Sequence, residues 1–202
     1  MTLKKGISKM GQRNPAIKFS REWAMPDLNT LSVAPIRKLV LRYMGSECKS
    51  IDPFARDCEL ATVTNDLNSD TKAMHHMRAT DFLDMMLEQE DYNSFDLAIL
   101  DPPYSATQIK RSYESIGLNP TQEDTQYGRF HSECKTRLAK LIRVGGHCIT
   151  CGWNSSGIGK KYGFEIVEIL LVCSGSAHND YIITVDKKVE DMSALFTNGA
   201  TE

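Results

Sequence analysis

A chain of 202 residues, 41% hydrophobic and 25% charged, can bury one substantial core and has the balance of a soluble globular domain. A formal net charge of −2 argues against a dedicated, strongly basic nucleic-acid binder, and no run approaches the roughly 18 apolar residues of a membrane span. With no apolar leader at the amino terminus, a cytoplasmic location is expected, with reduced thiols at Cys48, Cys58, Cys134, Cys148, Cys151 and Cys173.

Residues 1–20 show no periodicity and read as a flexible basic arm, Lys4, Lys5, Lys9, Arg13 and Lys18 all preceding the first acidic residue, Glu22. One domain is expected over 21–188, followed by a polar tail at 189–202. Pro35 suits the first turn of a helix over 35–44, which sets Ile36, Leu39, Val40 and Tyr43 on one face. Short strands are expected at 50–54 and 60–64, a helical segment at 71–77 and a very short strand before Asp81. Phe82, Met85 and Met86 then stand at helical spacing over 82–90, ahead of the buried apolar strand 95–100. A polar stretch runs through Gly128, and a helix from about 130 to 142 ends at Gly145-Gly146. Strands follow at 147–153, 165–173 and 181–185. Strands separated by helices, with a closing strand–turn–strand, predict an α/β fold: a doubly wound, mostly parallel sheet with an antiparallel C-terminal hairpin strand.

The strongest chemical signal is Asp101-Pro102-Pro103-Tyr104, directly after the 95–100 strand. Two prolines end the strand and stiffen the backbone, since neither offers an N–H. A carboxylate, a carbonyl and an aromatic face thus meet at a carboxyl-terminal strand edge, where open α/β sheets bind ligands. Three further acidic strand ends precede it: Asp52-Pro53-Phe54, Asp66 and Asp81-Phe82. Upstream of the first helix, Thr30 and Ser32 offer hydroxyls that either face an anion or cap that helix.

This ordered set resembles the S-adenosylmethionine-dependent amino-methyltransferases, above all the compact, phage-like enzymes that modify adenine N6 in DNA. The resemblance implies a Rossmann-like class I methyltransferase fold with S-adenosylmethionine as cofactor and no metal. Asp52, Pro53 and Phe54 would open the cofactor site and Asp66 would bind the ribose hydroxyls. Asp81 and Phe82 would receive the adenine ring, and Thr30 and Ser32 would close over the methionine end. Asp101, beside the cofactor, and the Pro102 carbonyl would accept the two hydrogens of the target amine. Pro103 and Tyr104 would line the base, presented by single-stranded DNA or flipped from a duplex. Methylation of an RNA base or of cytosine N4 uses a similar motif.

Two features depart from the family pattern. The turn Ala55-Arg56-Asp57 lacks the glycine that allows a positive φ, and about eleven residues separate Phe54 from Asp66, too few for a full crossover helix. Both also suit a non-catalytic binding module that keeps the fold. His131, Cys134, Cys148 and Cys151 have spacing loosely like a zinc site, but alternation sends 148 and 151 to opposite strand faces and favours buried thiols. A second basic cluster, Arg129, Lys135, Arg137, Lys140 and Arg143, and the glycine-rich loop 154–161 ending in Lys160-Lys161 are candidate phosphate contacts. His178-Asn179-Asp180 in the final hairpin either reaches the catalytic edge or simply forms the turn, the commoner role of such residues.

Overall fold

The computed structural model describes residues 16–90, 92–121, 124, 126–175 and 178–191. In chain order the elements are β1 (Lys18–Trp23), α1 (Ala34–Tyr43), β2 (Ser50–Asp52), β3 (Val63–Thr64), α2 (Ala79–Gln89) and β4 (Phe95–Leu100). Then come α3 (Ala106–Ser115), α4 (Tyr127–Leu141), β5 (Ile142–Gly152), β6 (Phe164–Cys173) and β7 (Tyr181–Lys188). The strands form one seven-stranded sheet in the order β1-β6-β7-β5-β4-β2-β3. Every pairing is parallel except the two made by β7, which lies antiparallel between β5 and β6. The α/β, mostly parallel sheet with an antiparallel hairpin strand is therefore as expected. Among the described residues no helix is long and apolar enough to cross a membrane.

Both faces of the central strands are covered, which is why β4 reads as an unbroken apolar run. Ala98 and Leu100 face a core built with Phe82, Leu83 and Met86 of α2 and Leu138 and Leu141 of α4. Leu97 and Ile99 face the opposite core, with Leu31, Ile36, Leu39 and Val40. Each such fully buried apolar side chain stabilises the fold by about 1.5–3 kcal/mol.

Three local expectations give way to tertiary contacts. Residues 18–20 are not arm but the start of β1, whose six residues pair in parallel with β6 from Lys18↔Glu168 to Trp23↔Cys173. Both faces of that edge strand are largely exposed, so it shows no alternation to read. The helix expected at 71–77 is absent. Instead His75 makes a parallel bridge to Asn65, with its N–H on the Thr64 carbonyl (3.1 Å) and Asp66 N–H on its own carbonyl (3.0 Å). The open edge of β3 supplies these partners, and they outweigh helix propensity. Finally, Gly145-Gly146 lies inside β5, in an irregularity where pairing jumps from Phe95↔Ile142 to Leu97↔His147. A Cβ on Gly146 would sit 2.9 Å from the carbonyl oxygens of Arg143 and Asp96, so only glycine fits there. Residues 1–15 of the expected basic arm and the tail beyond 191 lie outside the described residues.

Lys188 ties three elements together at the end of β7. Its fully buried ammonium donates to Asn93 Oδ1 (2.6 Å), the Ala139 carbonyl (2.7 Å) and the Ile142 carbonyl (2.8 Å). Replacing it with methionine keeps the stem but leaves these acceptors without their cation. Lys188→Met is expected to lower unfolding free energy by about 3 kcal/mol, read as an earlier urea midpoint. An unchanged midpoint would show that water replaces the ammonium there.

Candidate active site

The parallel strands deliver their carboxyl ends to one edge, and a cavity of about 790 Å³ opens there. Its wall includes Asp101, Pro102, Pro103 and Tyr104, immediately beyond β4. The motif is held from three sides. The Tyr104 hydroxyl donates to Asp101 Oδ1 and stands 3.4 Å from Thr30 Oγ1. The Tyr104 backbone N–H donates to Gln108 Oε1 on α3, a helix capped by Ser105, whose Oγ accepts from Gln108 N–H at 3.2 Å. From α4, His131 hydrogen-bonds the Pro103 backbone, where a proline offers only its carbonyl oxygen. Burial holds His131 at about 4, so above that pH it is a neutral ring. Burial also pushes the Asp101 carboxyl up, against hydrogen bonds from Tyr104 and Thr30 and the charge of Arg56.

The opposite wall is built by the β2 and β3 ends. Asp52 is buried and accepts the Phe54 N–H at 2.9 Å, shaping the turn that places Pro53 and Phe54 in the cavity. Arg56 adopts φ 52, so an arginine takes the left-handed conformation that a glycine usually supplies. Its N–H reaches Asp66 Oδ2 (3.2 Å), and its guanidinium holds the Leu28 carbonyl (2.6 Å). Asp66 lines the cavity with its other oxygen on the Asn68 N–H (2.9 Å). Beneath it, fully buried Asn65 donates to the Pro53 and Met77 carbonyls (3.1 and 3.0 Å) and accepts from Met77 N–H (3.1 Å). The 53–62 crossover contains no helix, as its length demands. Its backbone is anchored instead by reciprocal Ser50–Thr62 hydrogen bonds of 2.7–3.0 Å.

No family model matches this sequence, and no curated protein aligns with it. Solved structures do share its shape. TrmN from Thermus thermophilus superposes with a TM-score of 0.51 at 12% identity, over 78% of this chain and 49% of its own. A Burkholderia thailandensis 1,6-didemethyltoxoflavin-N1-methyltransferase, with bound 1,6-didemethyltoxoflavin and S-adenosylhomocysteine, superposes with a TM-score of 0.50 at 12% identity over 77% of each chain. The architecture is the class I methyltransferase fold. The chain spans about half the length of TrmN.

Within that fold, Thr30, Pro53, Phe54, Asp66 and Asp101–Tyr104 come together around the cavity. Asp52 stands behind its wall. Three expected residues are placed elsewhere. Asp81 lies in the first turn of α2 rather than after a strand and is not part of the cavity wall. Phe82 is fully buried in the core beneath α2, because the helix begins at Ala79 and turns that face inward. Met77, Arg78 and Ala79 line the cavity in their stead. Ser32 is exposed and outside the wall. It does not cap α1 either, since Val33 holds the N-cap position without a side-chain bond.

The other candidate groups separate from the cavity. Arg137 is paired with Asp84 (2.7 and 2.8 Å), Arg129 with Glu133 (2.8 Å) and Arg143 with Asp96, so the second basic cluster largely serves internal ion pairs. Lys135 donates to the Gly157 carbonyl. Gly157, at φ 54, leaves no room for a Cβ against Asp186, whose carboxylate accepts Ile158 N–H at 3.1 Å. That packing draws the 154–161 loop back along the sheet, and Lys160 and Lys161 end at the amino-terminal side of β6, away from Tyr104. Cys148 joins the α2/α4 core and Cys151 the α1 core, on opposite sheet faces as alternation requires. Trp153, which no motif singled out, rests on Tyr104 with ring centroids 5.4 Å apart. Its only sequence signal is a bulky aromatic at the exit of the strand next to β4.

Asp52 makes stability depend on pH. Burial raises its carboxyl to about 8, opposed by the Phe54 N–H and reinforced by Asp101 and Asp66. The folded state therefore holds this proton more tightly than the unfolded chain. The group's contribution is full below its ordinary range near 4 and declines as pH rises toward 8, by about 1.4 kcal/mol per pH unit. Asp52→Asn keeps an acceptor for Phe54 and removes the titration. Its stability advantage over the parent should grow from the acid to the alkaline end of that window in urea titrations. A constant difference would place the titrating group elsewhere.

Proposed function

We propose that this protein transfers a methyl group from S-adenosylmethionine to the exocyclic amine of a nucleobase, adenine N6 in DNA. The observation that carries the reading is the placement of Asp101, Pro102 and Tyr104 in the wall of one cavity opposite Asp66. A volume of about 790 Å³ lies within the range of pockets that enclose cofactors and substrates. The residues present suit the cofactor. Asp66 offers a carboxylate to a ribose diol, Leu67, Met77 and Phe130 offer apolar wall to a purine, and Thr30 lines the same cavity with its hydroxyl 3.4 Å from that of Tyr104. When bound, S-adenosylmethionine supplies the methyl group as an electrophilic sulfonium substituent.

The chain's own groups act on the amine. An exocyclic amine is a poor nucleophile because its lone pair is delocalised into the ring. Asp101 and the Pro102 carbonyl accept its two hydrogens, which favours a pyramidal nitrogen with its lone pair aimed at the methyl. Asp101 would stabilise the positive charge that develops on the nitrogen as it is methylated, and that nitrogen would then lose a proton to the carboxylate or solvent. Tyr104 stacks on the base. Its hydroxyl holds the Asp101 oxygen that the amine needs, so binding exchanges one donor for another at this acceptor. Of the two features behind the non-catalytic reading, the missing glycine is met by Arg56, which adopts the left-handed turn itself, while the short crossover stands.

Transfer of labelled methyl to single-stranded DNA, duplex DNA and RNA tests the reading. Asp101→Ala is expected to reduce kcat at least about 100-fold while cofactor binding by calorimetry persists. Full activity in that variant would sink the mechanism. Because Asp101 must be ionised and its carboxyl is raised, kcat/KM should fall on acidification from a pH above the ordinary carboxylate range. An acid limb at ordinary values would remove Asp101 from the titration.

A further inference from the structure

The same sheet edge continues past the candidate active site. Moving outward from β4, the next strand exit is that of β5, where Trp153 follows Gly152 and rests against Tyr104 at 5.4 Å with the rings inclined by 56°. Trp153 is 43% exposed. Beyond the β6–β7 hairpin stands the end of edge strand β1, where Trp23 is 63% exposed. A second, open cleft of about 620 Å³ lies there, lined by Arg21, Trp23, Cys173, His178 and Asn179. The two hollows are contiguous along the chain, since Tyr181 lines the first and Asp180 the second. Asp180 itself is engaged, its Oδ1 accepting the Ser174 N–H at 2.9 Å, and this fixes the hairpin between them.

Three strand spacings separate β5 from β1, about 14 Å across the edge. Aromatic faces therefore recur along it, Tyr104, Trp153 and then Trp23, with Arg111 at the first hollow and Arg21 at the second. Exposed aromatics interleaved with cations are the chemistry that holds unpaired nucleotides, because every base has a face to stack and every phosphate a charge to meet. Side chains this exposed keep a ring face open to a ligand.

We propose that Trp153 and Trp23 form a track for an unpaired nucleic-acid strand along the carboxyl edge of the sheet. Trp153 stacks at the mouth of the active site, while Trp23, Arg21 and the His178–Asn179 turn receive a flanking nucleotide. The proposal rests on the nucleobase reading of the site, yet it concerns binding and is measured without turnover.

Fluorescence anisotropy with short labelled single-stranded DNA, RNA of the same sequence and the matching duplex tests it on the full chain. Unpaired strands should bind more tightly than duplex, and the DNA and RNA arms decide between the two sources of the strand. Trp153→Ala and Trp23→Ala should each weaken binding by roughly 5- to 150-fold, the effect of losing one stacked base. Trp153→Phe should restore most of it, and this variant, which keeps a ring against Tyr104, should melt like the parent. Unchanged affinity in the Trp153→Ala variant overturns the track. So does a Trp23→Ala variant that alters sedimentation while leaving oligonucleotide affinity intact, which would assign β1 to self-pairing between copies. Binding that survives in a chain unable to methylate any nucleic acid would retire the proposed reaction and keep the track. Absence of binding to every oligonucleotide would overturn the track whatever the reaction.

Discussion

Six of the seven strands run in one direction, and that single constraint decides where the candidate site can form. Parallel pairing forces each strand to exit at the same edge, so Asp52, Asp66, Asp101 and Trp153, distant in sequence, gather there. Parallel pairing also requires both faces to be covered, and the two cores on either side of β4 meet that demand. The antiparallel β7 breaks the direction once. Its hairpin thereby brings Tyr181 to the cavity and Asp180 to the neighbouring cleft.

Two crossovers in this sheet lack an ordinary helix, and each is replaced by side-chain hydrogen bonding to backbone. Between β2 and β3, Asp52, Ser50, Thr62 and Asn65 satisfy the turn. Between β5 and β6, Asp186 does so for the Gly157–Ile158 segment, at the cost of a buried carboxyl raised by desolvation to about 6. Short crossovers thus exchange helix hydrogen bonds for buried polar groups whose ionisation is unfavourable. On the β3 side of the cavity, an irregular segment is held to Asn65 by a single parallel bridge from His75.

Much of the site was legible because its residues sit where periodicity stops. Asp101 follows a buried run and precedes two prolines, and Asp66 follows β3. Such breaks show in a sequence without any knowledge of partners. The glycine-free turn pointed the other way, toward a damaged site, because composition reports a residue's preference and not the conformation that Arg56 accepts when two acceptors hold it. Asp81 and Phe82 were misplaced for a related reason. The helix starts at Ala79, three residues before the start expected at Phe82, and nothing local distinguishes the two.

By itself the sequence determined α1, α2, α4 and the strands β2 to β7, though neither β1 nor α3, together with the buried runs and the carboxylate–proline–tyrosine motif at a strand end. Those depend on neighbours within a few residues, where alternation, proline and burial act directly. Only the tertiary structure decided that 18–23 is a strand, that the 154–161 loop turns away from the motif and that Trp153 rests on Tyr104. Each of these rests on a partner far away in the chain, Glu168 for Lys18, Asp186 for Gly157 and Tyr104 for Trp153, and the balance among such contacts is struck only when the sheet is assembled.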